Sequence, residues 1–196
     1  FRSEKWFALK GEELIDFMIE KRSEITNLFL NEISSANPRH SERPKVSIIT
    51  TFYKAEEYLE GFLQNITTQT IFDQCELVLV DTGSPGNEQK MIEEYLLEYP
   101  QIKYIRYDDR LKPTRGLNLA LKEAIGDYVT FAFLDDRKSQ KCLEILLTEI
   151  EKNDTIDLVY GDTLRTTVKN DIFEKSKASE LFSHSMAEFS PENMVK

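Results

Sequence analysis

Tyr128-Val-Thr-Phe-Ala-Phe-Leu-Asp-Asp136 is a run of aromatic, aliphatic and β-branched residues that stops at two adjacent carboxylates. It is too short to cross a bilayer, which takes about 20 apolar residues, and too apolar for a surface loop. The spacing predicts a buried strand over 128–134 with both carboxylates at its exit. On either side the pattern changes to that of amphipathic helices, over 116–125 and over 140–152. The same alternation continues outward, with strands at 46–52, 77–80 and 102–107, helices at 56–68 and 88–98, and a fifth strand beginning at 158–160. Strand and helix alternating at this spacing make right-handed βαβ units, so the fold class is α/β with a mostly parallel sheet flanked by helices. The near-continuous apolar strands predict burial on both faces.

In an open sheet of this kind ligands bind outside the carboxyl ends of the strands, near the point where the strand order reverses. The residues there are Thr50-Thr51-Phe52-Tyr53, Asp81-Thr82-Gly83-Ser84, Asp108-Asp109-Arg110 and Asp135-Asp136-Arg137, and three of these four ends carry carboxylates. Two adjacent carboxylates at a strand end repel each other, a cost that a cation held between them and a phosphate offsets. Hard divalent ions take one or two protein carboxylates plus phosphate oxygens. An Asp-Asp pair is also a common helix N-cap, here ahead of 140–152, and the residues alone leave both readings open. Asp81, before a Gly-Ser-Pro-Gly loop, is placed either to accept hydrogen bonds from a base or ribose or to cap its own loop. Neither GxGxxG nor GxxxxGK[ST] follows the first strand, which counts against dinucleotide oxidoreductases and P-loop NTPases.

The 196 residues suffice for one well-cored domain and an appendage. The net charge of −10 argues against nucleic acid as a partner and requires any phosphate ligand to find local positive charge or a metal. Cys75 and Cys142 form no CxxC or Cys/His cluster and read as free thiols of a reducing compartment. With no transmembrane run and no secretory signal, the expected location is the cytoplasm, including the cytoplasmic face of a membrane. The sequon Asn65-Ile66-Thr67 falls in a helical stretch and reads as coincidental. Residues 1–33 carry Leu14, Phe17, Met18, Ile25, Leu28 and Phe29 at helical spacings, and Pro38 and Pro44 mark 34–44 as a linker. This N-terminal helical appendage either packs on the domain that follows or docks a partner or another domain.

Five stretches carry a family resemblance. Pro44-Lys-Val-Ser-Ile-Ile-Thr-Thr-Phe-Tyr53 resembles the opening strand of family 2 glycosyltransferases of the Rossmann-like GT-A fold, and Ile66-Thr-Thr-Gln-Thr70 the helix end that follows it. Glu76-Leu-Val-Leu-Val-Asp-Thr-Gly-Ser84 resembles the second strand. Asn118-Leu-Ala with Ala124-Ile-Gly-Asp-Tyr128, and then Phe133-Leu-Asp-Asp136, resemble the approach to the DxD motif. All lie in the family's order between about 44 and 162, within a domain spanning 45–196.

The resemblance implies an inverting glycosyltransferase, or its donor-binding portion, moving a sugar from a nucleoside-diphosphate-sugar donor to an acceptor hydroxyl in polysaccharide or glycoconjugate synthesis. By position, Thr51 and Tyr53 would contact the nucleotide and Asp81 would lie beside its base or ribose. Arg115, or else Lys112, would supply positive charge. Asp135 would hold Mn2+ or Mg2+ against the diphosphate, and Asp136 would face the donor sugar. The chain departs from the pattern where Phe133 replaces the first Asp of DxD, Thr82 an Asp, and Lys54 an Asn. The catalytic base is expected beyond Lys196, in an acceptor-binding half that a truncated domain lacks; Glu188 and Glu192 carry no mark of that role. The other reading is a non-catalytic GT-A-like binding or assembly module of a larger protein, which Phe133 favours.

Overall fold

The structure, a computed structural model, describes residues 43–176 and 180–182. Strands β1 (Val46–Phe52), β2 (Cys75–Thr82), β3 (Ile102–Tyr107) and β4 (Tyr128–Phe131) form one sheet, all parallel, in the order β3-β2-β1-β4. Between and after them run helices α1 (Glu56–Thr67), α2 (Glu88–Glu98), α3 (Pro113–Glu123) and α4 (Cys142–Ile150).

Burial explains the layering. Every residue of β2 is buried, as a central parallel strand requires. Along α1 the buried positions are Leu59, Phe62, Leu63 and Ile66, one stripe of a helix. That stripe packs with Ile48, Leu77, Leu79, Ile92 of α2 and Leu143 of α4 on one face of the sheet. On the other face Ile49, Val78 and Val80 meet Ala120 of α3 and Ala124 just beyond it. Pro113 opens α3, where its missing N–H costs nothing, and Lys112 before it is extended. At the strands' amino ends the Glu76 carboxylate accepts from the Ser47 hydroxyl at 2.5 Å and the Ile125 N–H at 2.6 Å. Gly126 N–H then donates to Ser47 Oγ at 2.8 Å, which pins the turn before β4 beneath β1.

Several expectations change, among them the bounds of β2 (expected at 77–80) and of α3 (expected at 116–125). The predicted strand 128–134 stops at Phe131, and burial on both faces fails there. Phe131 shares the face of its register partner Ile49, but the cluster that α3 covers on that side draws on β1, β2 and β3 and takes in no residue of β4. Val129, Phe131 and Phe133 are 42%, 52% and 45% exposed. Residues 158–160 form no strand. Instead β5 (Thr163–Arg165) pairs antiparallel with β6 (Glu180–Phe182) in a separate two-stranded ladder. Finally, α4 begins at Cys142, two residues later than expected. The expectations for 1–33, for most of the 34–44 linker, and for Glu188 and Glu192 lie outside the described residues.

Candidate functional site

The strand order reverses between β1 and β4, so their carboxyl ends flank the switch point, with the end of β2 on the other side of β1. Asp81 pairs in register with Phe52, next to Thr51. The Asp81 side chain turns inward and is fully buried. Its Oδ1 accepts from Ser84 N at 2.8 Å, and its Oδ2 accepts from Tyr104 Oη at 2.9 Å and Arg106 Nη1 at 2.7 Å. Arg106 Nη2 also donates to Ser84 O at 2.8 Å, and Ser84 Oγ accepts from Lys54 N at 3.1 Å. Asp81 thus fixes the loop after β2, which in turn fixes the loop after β1. Tyr104 and Arg106, two apart on one face of β3, were missed in the sequence because only the β2–β3 register puts them at Asp81.

Burial, before any other cause, pushes the Tyr104 hydroxyl from 10.0 up to about 12, so it stays a donor to Asp81. A group whose ionisation is resisted in the folded chain contributes stability that is whole below its unfolded value and lost as pH rises through its folded one. Tyr104→Phe is therefore expected to flatten the loss of stability between pH 10.0 and about 12. At neutral pH it should cost about 1 kcal/mol for the lost hydrogen bond. Urea denaturation across that range checks it; an unchanged alkaline limb would contradict the assignment.

The Thr51 hydroxyl donates to Val80 O at 3.1 Å. It lies directly against Gly116 in the first turns of α3, where a Cβ would come 2.1 Å from Thr51 Oγ1. This contact sets the amino end of α3, with Arg115 and Lys112 both exposed, beside the end of β1. Tyr53 is half-buried, with the Arg110 guanidinium 4.4 Å from its ring centre and Lys54 Nζ at 5.5 Å. Arg110 and Lys54 thus flank Tyr53 at the end of β1, and Lys112 and Arg115 lie on the amino end of α3.

Asp135 and Asp136 follow β4 and are exposed. Neither carboxylate makes a hydrogen bond or ion pair among the described residues. Burial of its carboxyl raises the Asp136 pKa above the usual range, and the Asp135 charge adds to this. The capping alternative is settled: the residue before α4 is Lys141, and no side chain caps that helix. The loop owes its place to α1. Asn65 accepts from Lys138 N at 2.9 Å and donates to Lys138 O at 2.8 Å, and buried Gln69 donates to Ser139 O at 2.9 Å and accepts from Leu143 N at 3.3 Å. The sequon residue is therefore a structural bracket. Its signal was its four-residue spacing from Gln69.

Among the described residues no group of three or more His, Cys, Asp or Glu could hold a metal by itself. Two carboxylates without hydrogen-bond or ion-pair partners among the described residues, the pKa of Asp136 raised by burial and further by the charge of Asp135, still fit a hard divalent cation that completes its shell with phosphate oxygens and water. Two cavities, about 250 and 330 Å³, lie elsewhere: one between β4, α4 and residues 157–159, the other between α1 and α2. No described helix is long and apolar enough to cross a membrane, and Cys75 and Cys142 are free.

The crystal structure of S. aureus TarS 1-349 in complex with UDP-GlcNAc superposes with a TM-score of 0.53 at 26% identity, over 55% of this chain and 31% of that one. The parallel sheet with its flanking helices is accordingly of the GT-A-like α/β class. Residues 47–193 match Glycosyl transferase family 2, and the chain belongs to that family. The teichoic acid poly(glycerol phosphate) polymerase of Staphylococcus epidermidis is 31% identical over 111 residues, 56% of this chain and 15% of that protein. The uncharacterized glycosyltransferase EpsJ of Bacillus subtilis is 32% identical over 117 residues, 59% of this chain and 33% of that protein. The chain thus spans a third or less of the length of either relative.

Proposed function

We propose that this domain holds a nucleoside-diphosphate sugar across the ends of β2, β1 and β4, as part of an enzyme that transfers the sugar to an acceptor hydroxyl with inversion. The observation that carries the reading is the pair of carboxylates, Asp135 and Asp136, without hydrogen-bond or ion-pair partners among the described residues at the switch-point end of β4. Thr51 and Tyr53 lie on the nucleoside side, with Asp81 beneath them holding the loops in place. Arg115, with Lys112 as the alternative, supplies positive charge to the base or diphosphate. Asp135 holds Mn2+ or Mg2+, and Asp136 faces the sugar. When bound, the metal supplies Lewis-acid stabilisation of the leaving diphosphate. The TarS complex supports the donor class, since that related protein binds UDP-GlcNAc.

A second reading, a non-catalytic binding or assembly module of a larger protein, draws on Phe133, which is 45% exposed where the family motif has its first Asp. Thermal denaturation with a panel of nucleoside-diphosphate sugars, with and without Mn2+, tests donor binding. A ligand at about 100 times its Kd stabilises by about 2.7 kcal/mol, and that gain is expected for one donor only with the metal present. No shift with any donor would sink the donor-binding reading and leave a role in assembly. A shift without turnover in a fragment extended toward the length of its relatives would favour the second.

A further inference from the structure

We propose that Arg137 is a positioning residue that seats the Asp135–Asp136 loop on α1 and couples it to residues 166–171. The inference rests on the reading of Asp135 as the metal-holding residue. Arg137 follows the two carboxylates but forms no ion pair with either. Its Nη1 donates to Leu134 O at 2.8 Å and Asp136 O at 2.7 Å, the carbonyls on either side of Asp135. Its Nη2 donates to Asn170 Oδ1 at 2.5 Å and, more weakly, to Tyr58 O of α1 at 3.4 Å. The cation's hydrogen bonds are thus spent on the backbone that carries the carboxylates, and the carboxylates themselves make no hydrogen bond or ion pair among the described residues.

The seat on α1 is built for it. Gly61 sits inside the helix, where glycine costs about 1 kcal/mol relative to alanine. A Cβ there would lie 2.7 Å from Arg137 Nη2 and 3.3 Å from Asn170 Oδ1. From the far side Asn170, at a φ of 55° that asparagine tolerates better than most residues, donates through Nδ2 to Glu57 O at 2.8 Å. Its neighbour Lys169 pairs with Glu57 at 2.5 Å and lies 5.2 Å from the Tyr58 ring centre. The loop at 166–171, the carboxylate loop and α1 therefore meet at one guanidinium.

The test uses Arg137→Gln, Asn170→Ala and Gly61→Ala in the full chain, with two readouts. Hydrogen exchange without metal should show the Asp136 and Lys138 amides opening about tenfold faster or more in each variant. Calorimetry with UDP should show Mn2+-dependent affinity weakened about tenfold by Arg137→Gln, within the range of residues that orient metal ligands, and metal-free UDP affinity unchanged. Gly61→Ala separates positioning from general stability, because it should strengthen the isolated helix yet weaken Mn2+-dependent binding. Asn170→Ala keeps the bonds of Arg137 to residues 58, 134 and 136, so it folds if Arg137→Gln does not, and on an Arg137→Gln background it should add little. Unchanged exchange, or Mn2+-dependent affinity equal to that of the parent, would overturn the proposal. A parent chain without Mn2+-dependent UDP binding, but with faster exchange in the variants, would overturn the metal reading and leave Arg137 a loop anchor only.

Discussion

Asp135→Asn is expected to cut Mn2+-dependent affinity for a nucleoside diphosphate by about a hundredfold or more, roughly 2.7 kcal/mol, while the Tm moves by only about a degree. The two halves of that expectation have one cause. The Asp135 carboxylate is exposed and makes no hydrogen bond or ion pair among the described residues, so its removal costs folding little. It caps no helix, since Lys141 precedes α4. Asparagine keeps the shape and removes the negative oxygen that a hard cation needs. Titration calorimetry with and without Mn2+ measures the first half, and a thermal melt the second. Equal affinity in both proteins would reduce Asp135 to a surface residue of a loop.

Gly116→Val is expected to cost about 3 kcal/mol of stability, with Gly116→Ala intermediate. Even a methyl at this position would fall 2.1 Å from Thr51 Oγ1, 2.8 Å from Thr51 Cβ and 3.1 Å from Thr82 Cγ2. Thr51 is β-branched and sits on a strand whose neighbours are buried, so neither its χ1 nor its backbone yields cheaply. Either α3 lifts or β1 shifts, and both moves disturb the strand end where the nucleoside is proposed to sit. Urea denaturation gives the cost. A valine variant as stable as its parent would mean that α3 is not seated on Thr51.

Sequence reading succeeded where the signal is local. The alternation at 102–107 and the helical spacing at 88–98 have the bounds of β3 and α2. The family was legible because its motifs fall in order along the chain. The apolar triplet at 158–160 misled, since a short apolar run becomes a strand only when a partner edge accepts it, and that is a long-range fact. The anchoring of the carboxylate loop was hidden for the same reason. Asn65 and Lys138 lie 73 positions apart, and neither one's neighbours point to the other.

The pairing of β1 with two strands so differently placed in sequence has a topological consequence. Ser47 reaches Glu76, on β2, across 29 positions and Gly126, at the foot of β4, across 79. Closing the longer loop costs about 0.9 kcal/mol more chain entropy. The β4 edge recovers less of that cost, because half of its residues face solvent while β2 is buried throughout. The shortest pairing in the sheet is that of β4 with β1, and unzipping it leaves β1, β2 and β3 paired. Such an opening carries Asp135 and Asp136 away from Thr51 and Asp81 in a single move, so the proposed site comes apart along the seam between its two halves.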